Sequence, residues 1–156
     1  MLIFLLACPK PPPVVDAMAV ISRDGLLDAP VITGVSAPFL ESHQRVELDG
    51  VPPEELLIHT THPRPDGAWE TRLFAYSIDE AGAATPIPGE MRARGEDGRG
   101  GMQVVDLDGD GAAEIIVQGG TDGLLPRPVS IFSIQTGVMG DRVWSTSPGA
   151  EIVVAD

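Results

Sequence analysis

The sequence predicts an all-β chain, two four-stranded antiparallel units packed as a small sandwich or partial propeller. Three observations carry that expectation. Apolar runs are short, rich in Val and Ile, and broken by Gly, Pro and Asp, which is the pattern of strands and turns. Aromatic residues make up only 4% of the chain, so the core must be mainly aliphatic. A strand, acidic loop, strand pattern also occurs twice, at an offset of 59 residues.

The first element is not expected to belong to the fold. Met1 to Ala7 is wholly apolar, too short for the roughly 20 residues that span a bilayer, and is followed by Cys8 and a proline-rich run. Leu5-Leu6-Ala7-Cys8 resembles a bacterial lipobox, in which the cysteine is lipidated and becomes the mature N-terminus. The resemblance implies a truncated lipoprotein signal over 1–8 with Cys8 as the lipidation site, and a Pro-rich linker over 9–16 acting as a stiff spacer. It also implies a cell-envelope location in a bacterium, in the periplasm or lipid-anchored at the outer membrane. The folded domain is then 17–156.

Within that domain the expected strands are Met18 to Ser22, Pro30 to Thr33, Gln44 to Glu47, Glu55 to Thr60 and Thr71 to Ile78. A second group follows at Gly101 to Asp106, Glu114 to Gln118, Val129 to Ile134, Arg142 to Ser145 and Glu151 to Ala155. Leu56 and Ile58 should face one way and Leu57 and His59 the other, whereas Ile115 to Val117 is apolar on both faces and should be central. The segment 18–33 and the terminal strand are the material available to cover the outer faces of two such sheets.

Composition narrows the function. A chain of 156 residues suits one domain with its own core, and Gly 18 with Pro 15 makes it turn-rich without being low in complexity. Ten Lys+Arg against 23 Asp+Glu leave a net charge of −13, which would repel a phosphate backbone and excludes nucleic acid as a partner. One cysteine excludes an internal disulfide and a cysteine-built zinc site.

The repeat is ungapped. Val46-Glu47-Leu48-Asp49-Gly50-Val51-Pro52-Pro53-Glu54-Glu55-Leu56-Leu57-Ile58 aligns with Val105-Asp106-Leu107-Asp108-Gly109-Asp110-Gly111-Ala112-Ala113-Glu114-Ile115-Ile116-Val117. Acid, leucine, Asp-Gly, closing glutamate and aliphatic triplet coincide. Units of this size cannot bury both faces alone and must pack on one another.

Asp106, Asp108, Asp110, Gly111 and Glu114 spell DxDxDGxxE. Calcium takes six to eight oxygens at about 2.3–2.6 Å, and alternate carboxylates on a tight loop can converge on one point. Gly111 permits the turn, the Ala112 carbonyl can add an oxygen, and Glu114 closes the site from the next strand. An EF-hand would need a bidentate acid at the twelfth place and flanking helices; that place is Val117, inside a β-branched strand. The first copy has Val51 and Pro52 where the third acid and the turning glycine belong, and is expected to hold no metal.

Strand, calcium loop, strand over Val104 to Val117 resembles an FG-GAP or VCBS repeat, the calcium-binding blade of integrin-α-like β-propellers. The resemblance implies Ca2+ as cofactor and Asp106, Asp108, Asp110, Ala112 and Glu114 as metal ligands. It implies binding or scaffolding rather than catalysis, with a protein or glycan ligand, membrane attachment through the lipid, and association with other blades or chains. Two units are fewer than the four blades a propeller needs. The alternative is an accessory domain of an exported hydrolase or lyase, with calcium shaping a substrate groove. No serine sits in GxSxG, and His59 and His62, three apart on a strand, lie on opposite faces and read as a solvent-facing strand end.

Overall fold

A computed structural model describes residues 14–28, 37–89, 91–95, 101–118, 129–135 and 137–145. Cys8 and the expected strands Pro30 to Thr33 and Glu151 to Ala155 lie outside the described residues. The elements run α1 (Ala17–Arg23), β1 (Phe39–Val46), β2 (Glu55–Pro63), β3 (Trp69–Ile78), β4 (Ala84–Pro86), β5 (Met91–Gly95), β6 (Gly101–Val105), β7 (Glu114–Gln118), β8 (Val129–Gln135) and β9 (Val138–Ser145).

The strands form two antiparallel meanders, so the all-β, two-unit reading holds. The first sheet is ordered β1-β2-β3-β4, and β5 also pairs with β3. Because β4 lies against Tyr76–Ile78 and β5 against Trp69–Leu73, the two share the fourth lane of the sheet, one after the other. The second sheet is ordered β6-β7-β8-β9, which places the apolar triplet of β7 in an interior strand. The repeat in sequence is a repeat in structure: β2 and β7 start at Glu55 and Glu114, and each follows an acidic loop.

Alternation along the strands sorts the core into two layers. Leu57, Leu73, Ala75 and Met91 of the first sheet pack with Ile115, Val117, Phe132, Ile134 and Met139 of the second, making the sandwich core between the sheets. Leu56, Ile58, Tyr76 and Ile78 face the other way, onto Ala17, Val20 and Ile21 of α1. Two backbone hydrogen bonds also tie the units together, Ala113 N–H to Glu47 O at 3.0 Å and Met139 N–H to Pro88 O at 2.7 Å.

The strand expected at Met18 to Ser22 is instead helix α1. Asp16 caps it, accepting from the Met18 and Ala19 N–H groups, and the buried residues Ala17, Val20 and Ile21 fall at helical spacing. Seven residues are too few for that period to stand out from a short apolar run. The segment still covers the outer face of the first sheet, as expected, but as a helix. The two short strands β4 and β5 were not expected, since Pro86 and the alternating charges of Arg92 and Arg94 obscure the pattern. Among the described residues no helix is long and apolar enough to cross a membrane.

Candidate metal centre

The loop between β6 and β7 folds around its own acids. Asp106 Oδ1 accepts the Gly109 N–H at 2.7 Å and Oδ2 the Gly111 N–H at 3.0 Å. Asp108 Oδ1 accepts from Asp110 N–H at 3.2 Å, and Asp110 Oδ1 from Ala112 N–H at 2.8 Å. Glu114 reaches back from the start of β7 to accept the Leu107 N–H at 2.9 Å. Gly109 and Gly111 have φ of +80° and +94°, values that L side chains rarely adopt, which is why the loop needs glycine at both places.

These turns bring Asp106, Asp108 and Glu114 together, each offering an oxygen within 4.8 Å of the others. Oxygens bound to one calcium at about 2.3–2.6 Å lie at most about 5 Å apart, so the spacing and the all-oxygen donor set suit a hard cation. Asp110, expected as a ligand, stands outside that convergent trio, and Ala112 is seen only as the donor to Asp110 and the neighbour of Gly50.

The first loop converges too, which the sequence reading did not anticipate. Glu47, Asp49 and Glu55, the counterparts of Asp106, Asp108 and Glu114, also bring oxygens within 4.8 Å of one another. Gly50, with φ +74°, repeats the turn of Gly109. Val51 N–H donates to both Glu47 Oε1 at 2.9 Å and Asp49 Oδ1 at 2.8 Å, and Glu55 accepts from Leu48 N–H at 2.8 Å just as Glu114 does from Leu107. The signal was available in the repeat itself, in which all three acids coincide. Two acidic clusters can therefore hold a metal ion.

Their surroundings differ. Asp106 and Asp108 are exposed and Glu114 half-buried, whereas Glu55 is 3% exposed. Burial, foremost, with the charges of Asp49 and Glu47, pushes the Glu55 carboxyl above the usual carboxylate range, against the pull of the Leu48 N–H.

The histidines are not at a solvent-facing strand end. His59 and His62 are both 4% exposed. His59 lies on the face of Leu57, and burial lowers its pKa, opposed by Glu41; its Nε2 has no hydrogen-bond partner. His62, on the other face, has its Nε2 3.0 Å from Thr60 Oγ1. No family, curated protein or solved structure matches this chain.

Proposed function

We propose that this chain is an exported binding or scaffolding module of the FG-GAP/VCBS kind, stabilised by calcium at Asp106, Asp108 and Glu114. The observation that carries the reading is the convergence of those three carboxylates on an exposed, glycine-turned loop. Asp110 and the Ala112 carbonyl are second-rank ligands, drawn in when the ion binds. The role is binding rather than catalysis, with a protein or glycan as the ligand. A lipid on Cys8 and the linker behind it hold the module at the bacterial cell envelope.

Metal at this loop acts on stability. For a dissociation constant of about 0.1 mM, about 1 mM calcium contributes roughly 1.4 kcal/mol. EDTA should lower the melting temperature, and the difference should vanish in Asp108→Ala. Titration calorimetry should find one site, because Val51 and Pro52 stand in the first loop where the second has Asp110 and Gly111. Identical melting curves with and without chelator would remove the calcium reading, and a second site lost in Asp49→Ala would overturn the single-site reading. For the anchor, Cys8→Ser should move the protein from the detergent phase to the aqueous phase. An unmodified thiol at Cys8 by mass spectrometry would remove that part of the reading.

A further inference from the structure

Each acidic loop brings three matching carboxylates within 4.8 Å of one another, but the two loops supply them with different numbers of donors. Asp106, Asp108 and Glu114 accept from four backbone N–H groups, those of Gly109, Gly111, Asp110 and Leu107. Glu47, Asp49 and Glu55 accept from two, those of Val51 and Leu48. The shortfall has a cause in the sequence, because Pro52 stands where Gly111 does and has no N–H to give. Glu47, one methylene longer than Asp106, reaches the Val51 N–H instead, and Asp49 takes the same hydrogen.

Burial makes that shortfall costly. Glu55 lies in the interior, with Glu47 half-buried and Asp49 exposed beside it. Three negative charges this close repel one another, and a buried carboxylate with few donors is disfavoured against its neutral acid. The charged groups acting on Glu55 are Asp49 and Glu47, both of its own sign, while the N–H groups of Leu48 and of Glu55 itself pull the other way. Val46 stands opposite it in β1, and Ala112 and Ala113 meet the loop from the second unit; none of these side chains titrates. Among the described residues no basic side chain pairs with any of the three acids.

We propose that a proton closes the first loop in the place where the second takes a cation: in the folded chain Glu55 is a neutral acid whose O–H donates to the carboxylate of Glu47 or Asp49. The proton removes one of three like charges and adds the donor that Pro52 withholds. Glu55 Oε2 goes on accepting the Leu48 N–H. The proton takes this place on the reading that the first loop holds no metal. The folded chain binds it more readily than the unfolded one, so its contribution to stability is full below about pH 4.5 and is lost as the pH rises through the folded value. Because the Glu47 carbonyl accepts from Ala113 N–H, the device lies where the two units meet, and mild acid tightens that contact.

The test compares the parent with Glu55→Gln, whose amide oxygen keeps the Leu48 N–H and whose amide N–H stands in for the acid O–H at every pH. Between about pH 4.5 and about pH 7.5, in EDTA, the unfolding constant of the parent should rise at least about threefold relative to that of Glu55→Gln. In carbon-13 NMR the Glu55 carboxyl should titrate at higher pH in the folded chain than in urea. Asp49→Asn, which removes one like charge, should bring the two titrations closer. The NMR measurement needs only the parent, and it decides should Glu55→Gln fail to fold. Parallel stability profiles, or coincident folded and unfolded titrations, overturn the proposal. Calcium at about 1 mM is then added at about pH 6 to the Asp108→Ala chain. A Glu55 signal that moves, its proton driven off by the metal, overturns the proton and the metal-free reading of the first loop together. An ionised Glu55 that calcium leaves unmoved overturns the proton alone.

Discussion

The two acidic loops carry matching acids 59 residues apart, yet Leu48 and Glu55 at the base of the first are buried, whereas Leu107 is exposed and Glu114 half-buried at the base of the second. The base of the first meets the second unit, whose Ala113 donates to Glu47 and whose Ala112 lies beside Gly50, while residues 49–54 stay exposed. The second has no such contact at Leu107 and Gly109. One local sequence thus makes the same turn in both places, while what it can do is set by its place in the sandwich. Covered, the closing glutamate is a buried acceptor that holds Leu48 in the core. Less covered, Glu114 stands half-buried beside the exposed Asp106 and Asp108, and that trio is open to a cation from solvent.

The sharpest way to break that comparison is to truncate the two equivalent leucines. Leu48 is fully buried in the core between the sheets, so Leu48→Ala should cost about 2–5 kcal/mol through lost burial and the cavity left behind. Leu107→Ala should cost no more than about 0.5 kcal/mol, as surface changes do. Urea unfolding midpoints check both. Equal losses at the two sites would mean that the units are not differently covered.

A smaller difference separates the two closing glutamates. Glu55→Ala leaves the Leu48 N–H without its acceptor in a buried setting, which should cost about 1–3 kcal/mol. In Glu114→Ala the Leu107 N–H can turn to water instead, so without calcium the loss should stay below about 1 kcal/mol. Measured in EDTA, the ratio of the two losses reports on cover alone, free of any metal.

The repeat made much of this legible in the sequence. Offset, acids and aliphatic triplets located both central strands, and the alternation Leu56, Leu57, Ile58 correctly separated the two core layers. What the sequence did not reveal depends on long-range placement. Nothing local distinguishes Leu48 from Leu107, because their neighbours in sequence are alike and only the packing of one unit on the other buries the first. Helix α1 is not legible locally because Val20-Ile21 suits a strand as well as a helix, and its cap and the sheet beneath it decide. Val51 and Pro52 hide the cluster of the first loop in the sequence, although Gly50 alone suffices to turn that loop and bring its acids together.

The finest contrast lies farther along the same two strands, where His59 in the middle of β2 has Gln118, the last residue of β7, as its counterpart. His59 is buried with an unpartnered Nε2, and burial holds its pKa below the ordinary value of 6.5 while Glu41 pulls the other way. The unfolded chain therefore binds this proton more readily than the folded one. Its contribution is fully present above about pH 6.5 and is lost as pH falls from there toward the lowered folded value. One proton changes stability by at most about 1.4 kcal/mol per pH unit. The carboxylates titrate in an overlapping range, and Glu55, whose pKa is raised, has the opposite sign: ionising it as pH rises costs stability. Only a difference between variants isolates the histidine. Unfolding midpoints at pH 7.5 and pH 5.5 should fall less on acidification in His59→Gln, which places in β2 the residue that β7 already has, than in the parent. Parallel pH profiles would mean that His59 takes up its proton as easily in the fold as out of it, and that its place between the sheets is open to water.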